Sequence, residues 1–267
     1  MQGAERRTDQ AAGLRRLFAA RVPVVAAVVA LGGRSAALAA NLGAAAARLG
    51  HRVLLLDESL AEVARALGAT ARWDLAHALA GDRRPDQVAI RVGADLTVVP
   101  AARGLQRAVA AGWSAATIAE RFAAPDLLLV HAPDPRLAAH LARDGVAVLL
   151  PVDGAADTLA NAYLALKNRD AVHAQALAYG FADATCARNA IDALAFAARR
   201  FLGRALGVAG IVPGDAPLAR AMREQRTVFD VDPIADSARA LERVAARVVG
   251  RQPVAGCASP TRATRLH

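Results

Sequence analysis

The sequence predicts an α/β fold: a doubly wound, mostly parallel sheet with helices on both faces. Apolar runs that lack polar alternation recur along the chain, which is typical of strands buried on both sides. Alanine-rich segments with helical periodicity, such as Ala36–Leu49, lie between these runs, and strand–helix alternation favours a parallel sheet. The chain has 267 residues, 55% of them hydrophobic, which is enough for one large buried core.

Seven apolar runs are predicted strands, and a long helix over Ala187–Leu206 separates the last two. In chain order these strands are Val22–Leu31, Val53–Asp57, Leu96–Pro100, Leu127–His131, Val146–Pro151, Ala174–Tyr179 and Gly207–Val212. Two more helices are predicted after Pro213, one from Asp215 or Ala216 to Gln225 and one over Ile234–Val249.

We expect three regions along the chain. Residues 1–20 contain a short amphipathic helix, Thr8–Ala20, with Leu14, Leu17 and Phe18 on one face. Residues 21–250 form the α/β domain. Residues 251–267, with proline, glycine and scattered arginine, are expected to be a basic disordered tail.

Composition and charge limit the classes of protein to which this chain can belong. No apolar run is long enough to cross a bilayer and no cleavable signal peptide is evident, so we expect a cytoplasmic protein. The two cysteines form no CxxC pair and the six histidines show no ligand spacing, so no metal site is expected. The net charge of +9 is carried by arginine, because Lys167 is the only lysine. This charge favours acidic partners, with nucleic acid bound non-specifically at most, or simply reflects genome composition.

The first strand leads into a glycine-bearing loop, Gly32 to Ala36, followed at once by a helix. Ligands of open parallel sheets bind at the carboxyl ends of the strands. Glycines let backbone N–H groups face a phosphate, and a helix N-terminus adds positive potential. An ordinary tight turn is the alternative for a glycine pair alone.

The residues around this loop resemble the opening of the MinD/ParA family of P-loop ATPases. The stretch from Gly32 through Asn41-Leu42 to the strand ending at Asp57 follows the family pattern without a gap, and Asp57 lies 22 residues after Ser35, the position of the signature lysine. The positions that carry chemistry in the family depart from its pattern. They are Ala30 and Ser35 for lysines, Arg34 for glycine, Ala36 for the Mg²⁺-binding Ser/Thr, and Ser59 and His131 for aspartates.

The resemblance implies a degenerate ancestral nucleotide site. Phosphoryl transfer depends on positioning and charge stabilisation, so these combined losses predict that hydrolysis is lost and that no residue is catalytic. ATP and Mg²⁺ are the family's cofactors, and none is expected here. The residues of the degenerate site are Gly32, Gly33, Arg34, Ser35, Ala36, Asp57, Pro213 and Asp215. A new catalytic cluster of Asp57, Ser59 and His131 is a weaker alternative.

Further stretches resemble the branch of this family called FlhG or FleN, which limits flagellar number. They are Asp9–Leu17, similar to a DQAxxLR element, Val99–Leu105, Leu150–Tyr163 and Gly207–Phe229. In that branch the first element docks on the signal-recognition-type GTPase FlhF. The expected partner-binding residues are therefore Asp9, Gln10, Leu14, Arg15, Leu17 and Phe18. A helix folded back onto its own domain is the alternative.

The resemblance thus implies a regulator of flagellar number or placement that acts through protein contacts, stimulating FlhF or restraining a flagellar transcription activator. A working ATP-dependent switch and a basic nucleoid- or membrane-surface binder are the two alternatives. The predicted helix Ile234–Val249 has apolar and arginine faces, which suits either peripheral membrane contact or packing on the sheet. Peripheral contact would place the protein at the inner face of the membrane or at the cell pole.

Overall fold

The computed structural model describes residues 22–142, 145–155, 157–168 and 174–250. The predicted N-terminal helix and the predicted tail lie outside these residues. All seven predicted strands fall inside them.

The described residues form an eight-stranded sheet in the order β3-β4-β2-β5-β1-β6-β7-β8. Every neighbouring pair is parallel except β3 and β4, which confirms the doubly wound, mostly parallel prediction. The strands are β1 Val24–Val29, β2 Val53–Asp57, β3 Ile90–Val92, β4 Leu96–Pro100, β5 Leu127–Ala132, β6 Ala147–Val152, β7 Ala174–Phe181 and β8 Gly207–Pro213.

Twelve helices are found among the described residues. They are α1 Gly33–Arg48, α2 Glu62–Ala66, α3 Leu75–Leu79, α4 Pro85–Val88, α5 Leu105–Ala110, α6 Ala115–Arg121, α7 Arg136–Leu141, α8 Thr158–Asn168, α9 Ala184–Leu202, α10 Ala216–Arg223, α11 Val228–Val231 and α12 Asp236–Val249. The long helix α9 lies a few residues earlier than predicted. Asp183 caps it by accepting from the backbone N–H groups of Thr185 and Cys186, and Gly203 ends it in a left-handed conformation.

Successive residues of the central strands belong alternately to two hydrophobic cores, one on each face of the sheet. Along β1, Ala26 and Val28 join one core, whereas Val25, Ala27 and Val29 join the other. Such a strand has no solvent face, which explains why its sequence is continuously apolar.

Helix α12 is a structural part of the domain. Its apolar face, which includes Leu241, Val244 and Val248, is buried in the core beneath the sheet. The membrane contact considered for this face is therefore not available in this conformation, because the protein's own core already covers it. The face left exposed carries Arg239 and Arg243. In the described part of the chain, no helix is both long and apolar enough to cross a membrane.

Gly104 marks a close approach between two helices. It immediately precedes α5, and a Cβ added there would lie 2.5 Å from both the backbone nitrogen of Ala76 and the Cβ of Leu75 in α3. Leu75 is fully buried, so α3 has no room to retreat. The glycine in the stretch Val99–Leu105 is thus required by packing.

We expect Gly104→Ala to destabilise the fold by about 1–3 kcal/mol, because the added methyl overpacks a buried contact with backbone atoms. Urea denaturation monitored by circular dichroism measures this change. Gly154→Ala is the matched control, since an added Cβ there meets nothing within 4 Å. Equal midpoints for the two variants would refute the packing role of Gly104.

Candidate functional site

The loop after β1 keeps the form of a phosphate-binding loop. Gly32 has an extended backbone, and α1 begins at the next residue with no acidic side chain in its first turn. The hydroxyl of Ser35 donates to the carbonyl oxygen of Gly32, with 2.6 Å between the oxygens. The side chain at the position of the family's lysine therefore folds back and closes the loop on itself.

Strand register places His131 beside this loop. Strand β5 lies between β2 and β1, and His131 is paired with Asp57 on one side and with Val28 on the other. The imidazole Nδ1 lies 3.0 Å from Asp57 Oδ1, and Nε2 lies 3.0 Å from Ser35 Oγ. His131 therefore bridges the acid at the end of β2 and the hydroxyl at the start of α1.

The carboxylate of Asp57 is completely buried, and both of its oxygens have partners. Oδ1 accepts from the backbone N–H of Ser59 at 3.0 Å and from the Ser59 hydroxyl at 2.5 Å, in addition to its contact with His131. Oδ2 accepts from the backbone N–H of Val63 at 3.0 Å. These donors replace the water that a buried carboxylate loses.

Each nitrogen of the His131 imidazole has a polar partner in this cluster. The Ser35 hydroxyl has a single hydrogen, which the Gly32 carbonyl accepts, so the lone pairs of the Ser35 oxygen face His131 Nε2. The other ring nitrogen, Nδ1, lies 3.0 Å from Asp57 Oδ1 and 3.2 Å from Ser59 Oγ.

Ser35, His131 and Asp57 have the distances of a serine nucleophile, a histidine base and an orienting carboxylate. The burial of the hydroxyl argues against that chemistry, because Ser35 is only 2% exposed. A nucleophile that substrate cannot reach serves a structural purpose. The arrangement fits a polar cluster that holds β2, β5 and the loop together.

Arg34 covers the outer side of the loop. Its Nη1 lies 3.4 Å from the Gly180 carbonyl oxygen at the end of β7, and its Nε lies 3.9 Å from Asp153 Oδ2. The Arg34 side chain is 49% exposed, so solvent weakens both contacts. The guanidinium nevertheless spans the opening between β1 and β7.

The space enclosed by these residues is small. A cavity of about 10 Å³ remains between Leu31, Gly32, Arg34, Ser35, Pro151, Asp153, Thr158 and Tyr179. That volume holds at most one water molecule. The donors of this site do not fit a triphosphate with Mg²⁺, because the loop has no lysine, Ala36 offers no hydroxyl, and both oxygens of Asp57 already accept from protein donors.

Pro213 and Asp215, the last two residues predicted for the degenerate site, belong to a turn that is engaged in the fold. The Asp215 carboxylate caps α10 through the N–H of Leu218 and accepts from the backbone and hydroxyl of Ser237 in α12. Gly214, just after Pro213, approaches β7 so closely that an added Cβ would lie 2.5 Å from the Gly180 carbonyl oxygen. The turn joins β7, β8 and α12.

A buried tyrosine closes the inner side. Tyr179 is 1% exposed, its hydroxyl lies 3.5 Å from the Asn41 amide, and burial raises the pKa of the phenol. Asn41 in turn accepts from the backbone N–H of Val228, with 2.8 Å between the two atoms. The Asn-Leu pair of the first helix thus helps to position the C-terminal elements.

The structure brings together most of the residues that the sequence singled out. Asp57, Ser59 and His131 do form one cluster, but sequence reasoning missed that Ser35 is the second partner of the imidazole. Pro213 and Asp215 lie across the rim. The six predicted partner-binding residues, Asp9 to Phe18, lie outside the described residues. Within those residues, no group of three or more His, Cys, Asp or Glu side chains is placed to share a metal ion.

Comparison with known proteins agrees with this architecture. The chain is 30% identical over 221 residues to the antiactivator FleN of Pseudomonas aeruginosa, covering 78% of this chain and 79% of that protein. No family model matches the chain.

The sheet and helices are similar to solved MinD and ParA structures. MinD in the MinC:MinD cell division complex of Aquifex aeolicus superposes with a TM-score of 0.64 at 19% identity, over 85% of this chain and 96% of that one. A ParA family ATPase from Chlorobium tepidum gives 0.62 at 17% identity, over 84% and 98%. At such identities the likeness establishes the fold alone.

Removing the imidazole should expose the dependence of Asp57 on its partner. We expect His131→Ala to destabilise the protein by about 3–5 kcal/mol, because a buried carboxylate is left short of a donor. Adding Asp57→Asn should recover part of this loss, since it removes the uncompensated charge. Urea unfolding of both single variants and the double variant forms the thermodynamic cycle.

His140→Ala is the control, because His140 is exposed and a surface change of this kind stays within about 0.5 kcal/mol. Losses at Asp57 and His131 that simply add would show that the two side chains do not depend on each other.

Proposed function

This chain belongs to the FleN family of MinD/ParA-type proteins, and we propose that it regulates flagellar number through protein contacts without hydrolysing ATP. The partners in this proposal are a flagellar transcription activator, the GTPase FlhF, or both. The Pseudomonas relative is an antiactivator, which supports the first of these.

The main support for a loss of ATPase activity is the loop after β1, where the Ser35 side chain folds back onto the loop. Ser35 bonds to Gly32 and His131, and only about 10 Å³ remains beside it. Each charge-assisted hydrogen bond missing from a nucleotide site removes roughly 1.5–3 kcal/mol of affinity. Losing the lysine, the Mg²⁺-binding hydroxyl and the aspartate together lowers a micromolar affinity to about millimolar or weaker.

A protein of this kind holds one conformation whether or not ATP is present. A ligand shifts a conformational equilibrium only as far as its affinities for the two states differ. With no such ligand at the loop, the surface offered to partners is constant. Regulation then depends on how much of this protein and of its partner is present.

We expect the full chain to bind MgATP no more tightly than about 1 mM and to release no phosphate above background. Isothermal titration calorimetry and a phosphate-release assay measure these two quantities. MinD of Pyrococcus horikoshii, whose structure was solved with Mg-ADP, is the positive control. Sub-micromolar binding with turnover would instead support the ATP-dependent switch.

The N-terminal helix is the proposed contact with FlhF, on the strength of the stretch Asp9–Leu17. Deleting residues 1–20 should abolish stimulation of FlhF GTPase activity, and the melting temperature of the variant establishes that the rest of the chain is folded. Leu14→Ser with Leu17→Ser is the milder variant, since it removes only the apolar face. GTPase stimulation that survives both changes would exclude this segment as the contact.

A further inference from the structure

A second cavity opens at the amino edge of the sheet, the edge opposite to the loop after β1. Its volume is about 360 Å³, and it lies between the first residues of β6, β7 and β8 and the end of α12. An apolar cavity of about 150 Å³ accommodates a benzene ring, so this one has room for an aromatic ring and a second side chain. The residues that line it are Ala147, Gln175, Val208, Ala209, Val244, Arg247, Val248 and Gly250.

The wall of this cavity is largely apolar, with one guanidinium. Arg247 donates from Nη1 to the Ala209 carbonyl oxygen, with 3.0 Å between the atoms. It forms no ion pair with a described residue. A guanidinium has five N–H donors, so Arg247 can also bind an acceptor placed in the cavity. Val208, beside it, is 54% exposed. Four lining residues belong to the core beneath the sheet: Ala147, Ala209, Val244 and Val248.

The N-terminal segment, residues 1–21, joins the domain next to this cavity. Ala26 of β1 pairs with Ala147 of β6, which lines the cavity. Val24, the first residue of β1, lies two residues before Ala26 and packs against the same core. The segment therefore reaches the sheet at its amino edge, one strand away from the cavity wall.

The apolar face of the predicted helix Thr8–Ala20 can reach and fill the cavity. With Ala20 as the last helical residue, the chain from Phe18 to Val24 spans about 16 Å. Strands β6 and β7 lie only about 5 and 10 Å from β1. Leu14 and Phe18 are four residues apart, so they lie on one side of a helix. The carbonyl groups of the last helical turn, which lack donors within the helix, would face Arg247.

The segment after Gly250 also starts at the cavity, but its composition suits the cavity less. Residues 251–267 contain no phenylalanine, tyrosine or tryptophan. Their only large aliphatic residues, Val254 and Leu266, are twelve positions apart. They cannot supply two apolar side chains from one helical turn, as Leu14 and Phe18 can.

We propose that this cavity docks the protein's own N-terminal segment. The Phe18 ring and the Leu14 side chain enter the cavity, and the last carbonyl groups of the predicted helix accept from Arg247. Docking covers residues that are proposed to contact FlhF, so it is an autoinhibited state that FlhF must displace; this consequence rests on the proposed function. Because the cavity lies at the opposite edge from the loop after β1, the docking equilibrium requires no nucleotide.

Photo-cross-linking of the full chain tests the docking directly. With p-benzoylphenylalanine in place of Phe18, we expect cross-links to peptides that contain Val208 or Val248. The same probe in place of Arg16 is the matched control, because Arg16 lies on the opposite side of the predicted helix. The cross-linked fraction should not depend on protein concentration. Cross-links that increase with concentration would assign the contact to a second copy and overturn the proposal.

Hydrogen exchange of the full chain measures how much of the segment is docked. We expect the amides of residues 8–20 to exchange about 10-fold more slowly in the wild type than in Val208→Arg. The added arginine places a second cation beside Arg247, and docking would bury it without a partner. Ile234→Arg is the matched control, because Ile234 is 68% exposed and lies at the other end of α12. Melting temperatures establish that both variants are folded.

Autoinhibition predicts a gain of FlhF binding when the cavity is blocked. We expect Val208→Arg to bind FlhF about 10-fold more tightly than the wild type, since apparent affinity is reduced by the fraction of chains that are not competent to bind. Ile234→Arg should bind like the wild type. Biolayer interferometry with the full chains measures both affinities.

The outcomes distinguish this inference from the proposed function. Unprotected amides in residues 8–20, protection that survives Val208→Arg, or cross-links away from the cavity would overturn the docking and leave the proposed regulation of FlhF standing. Docking without any binding of FlhF would overturn the proposed contact with FlhF, and the autoinhibition with it. Equal FlhF affinities of the wild type and Val208→Arg would overturn the autoinhibition alone.

Discussion

The polar architecture of this protein depends on one buried carboxylate. Asp57 ends β2 with no exposed surface, and an unpaired charge in such a place costs several kcal/mol. The single lysine of the chain, Lys167, lies on α8 and supplies no charge there. His131, the Ser59 hydroxyl and two backbone N–H groups satisfy the carboxylate instead. Ser59 and His131, which both differ from the family pattern, thus both satisfy the buried carboxylate of Asp57. Ser35 contacts the second nitrogen of the imidazole.

The cluster of Asp57, Ser59, His131 and Ser35 also organises the carboxyl edge of the sheet. Because β5 lies between β2 and β1, His131 connects two strands to the first turn of α1. On the other side of the same edge, Asp215 ties the end of β8 to α10 and α12, and Arg34 reaches across to Gly180 and Asp153. Ligands of open parallel sheets bind at this edge. In this protein its own side chains hold the edge together.

The fold was largely predictable from sequence because its signals are local. Continuous apolar runs marked seven strands, and the spacing of Ser35 and Asp57 located the loop. Strand β3 was not predicted, because its three residues, which include the exposed Arg91, make no apolar run. The contact between Ser35 and His131 was not predicted, because the two residues are 96 positions apart in sequence. Only the order of the strands in the sheet brings them together. Gly104 shows the same limit, since the need for a missing Cβ depends on where α3 packs.

The hydrophobic free energy of folding comes from the two cores on either side of the sheet. The apolar faces of α12 and of the central strands are buried in these cores. Helix α9 contributes Ala187, Ile191, Leu194 and Ala198, whereas Phe196, at about 100° per residue, projects from the opposite side of the helix and is 67% exposed. Most of the Phe196 ring stays in water before and after folding, so this side chain adds little to the stability of the folded monomer.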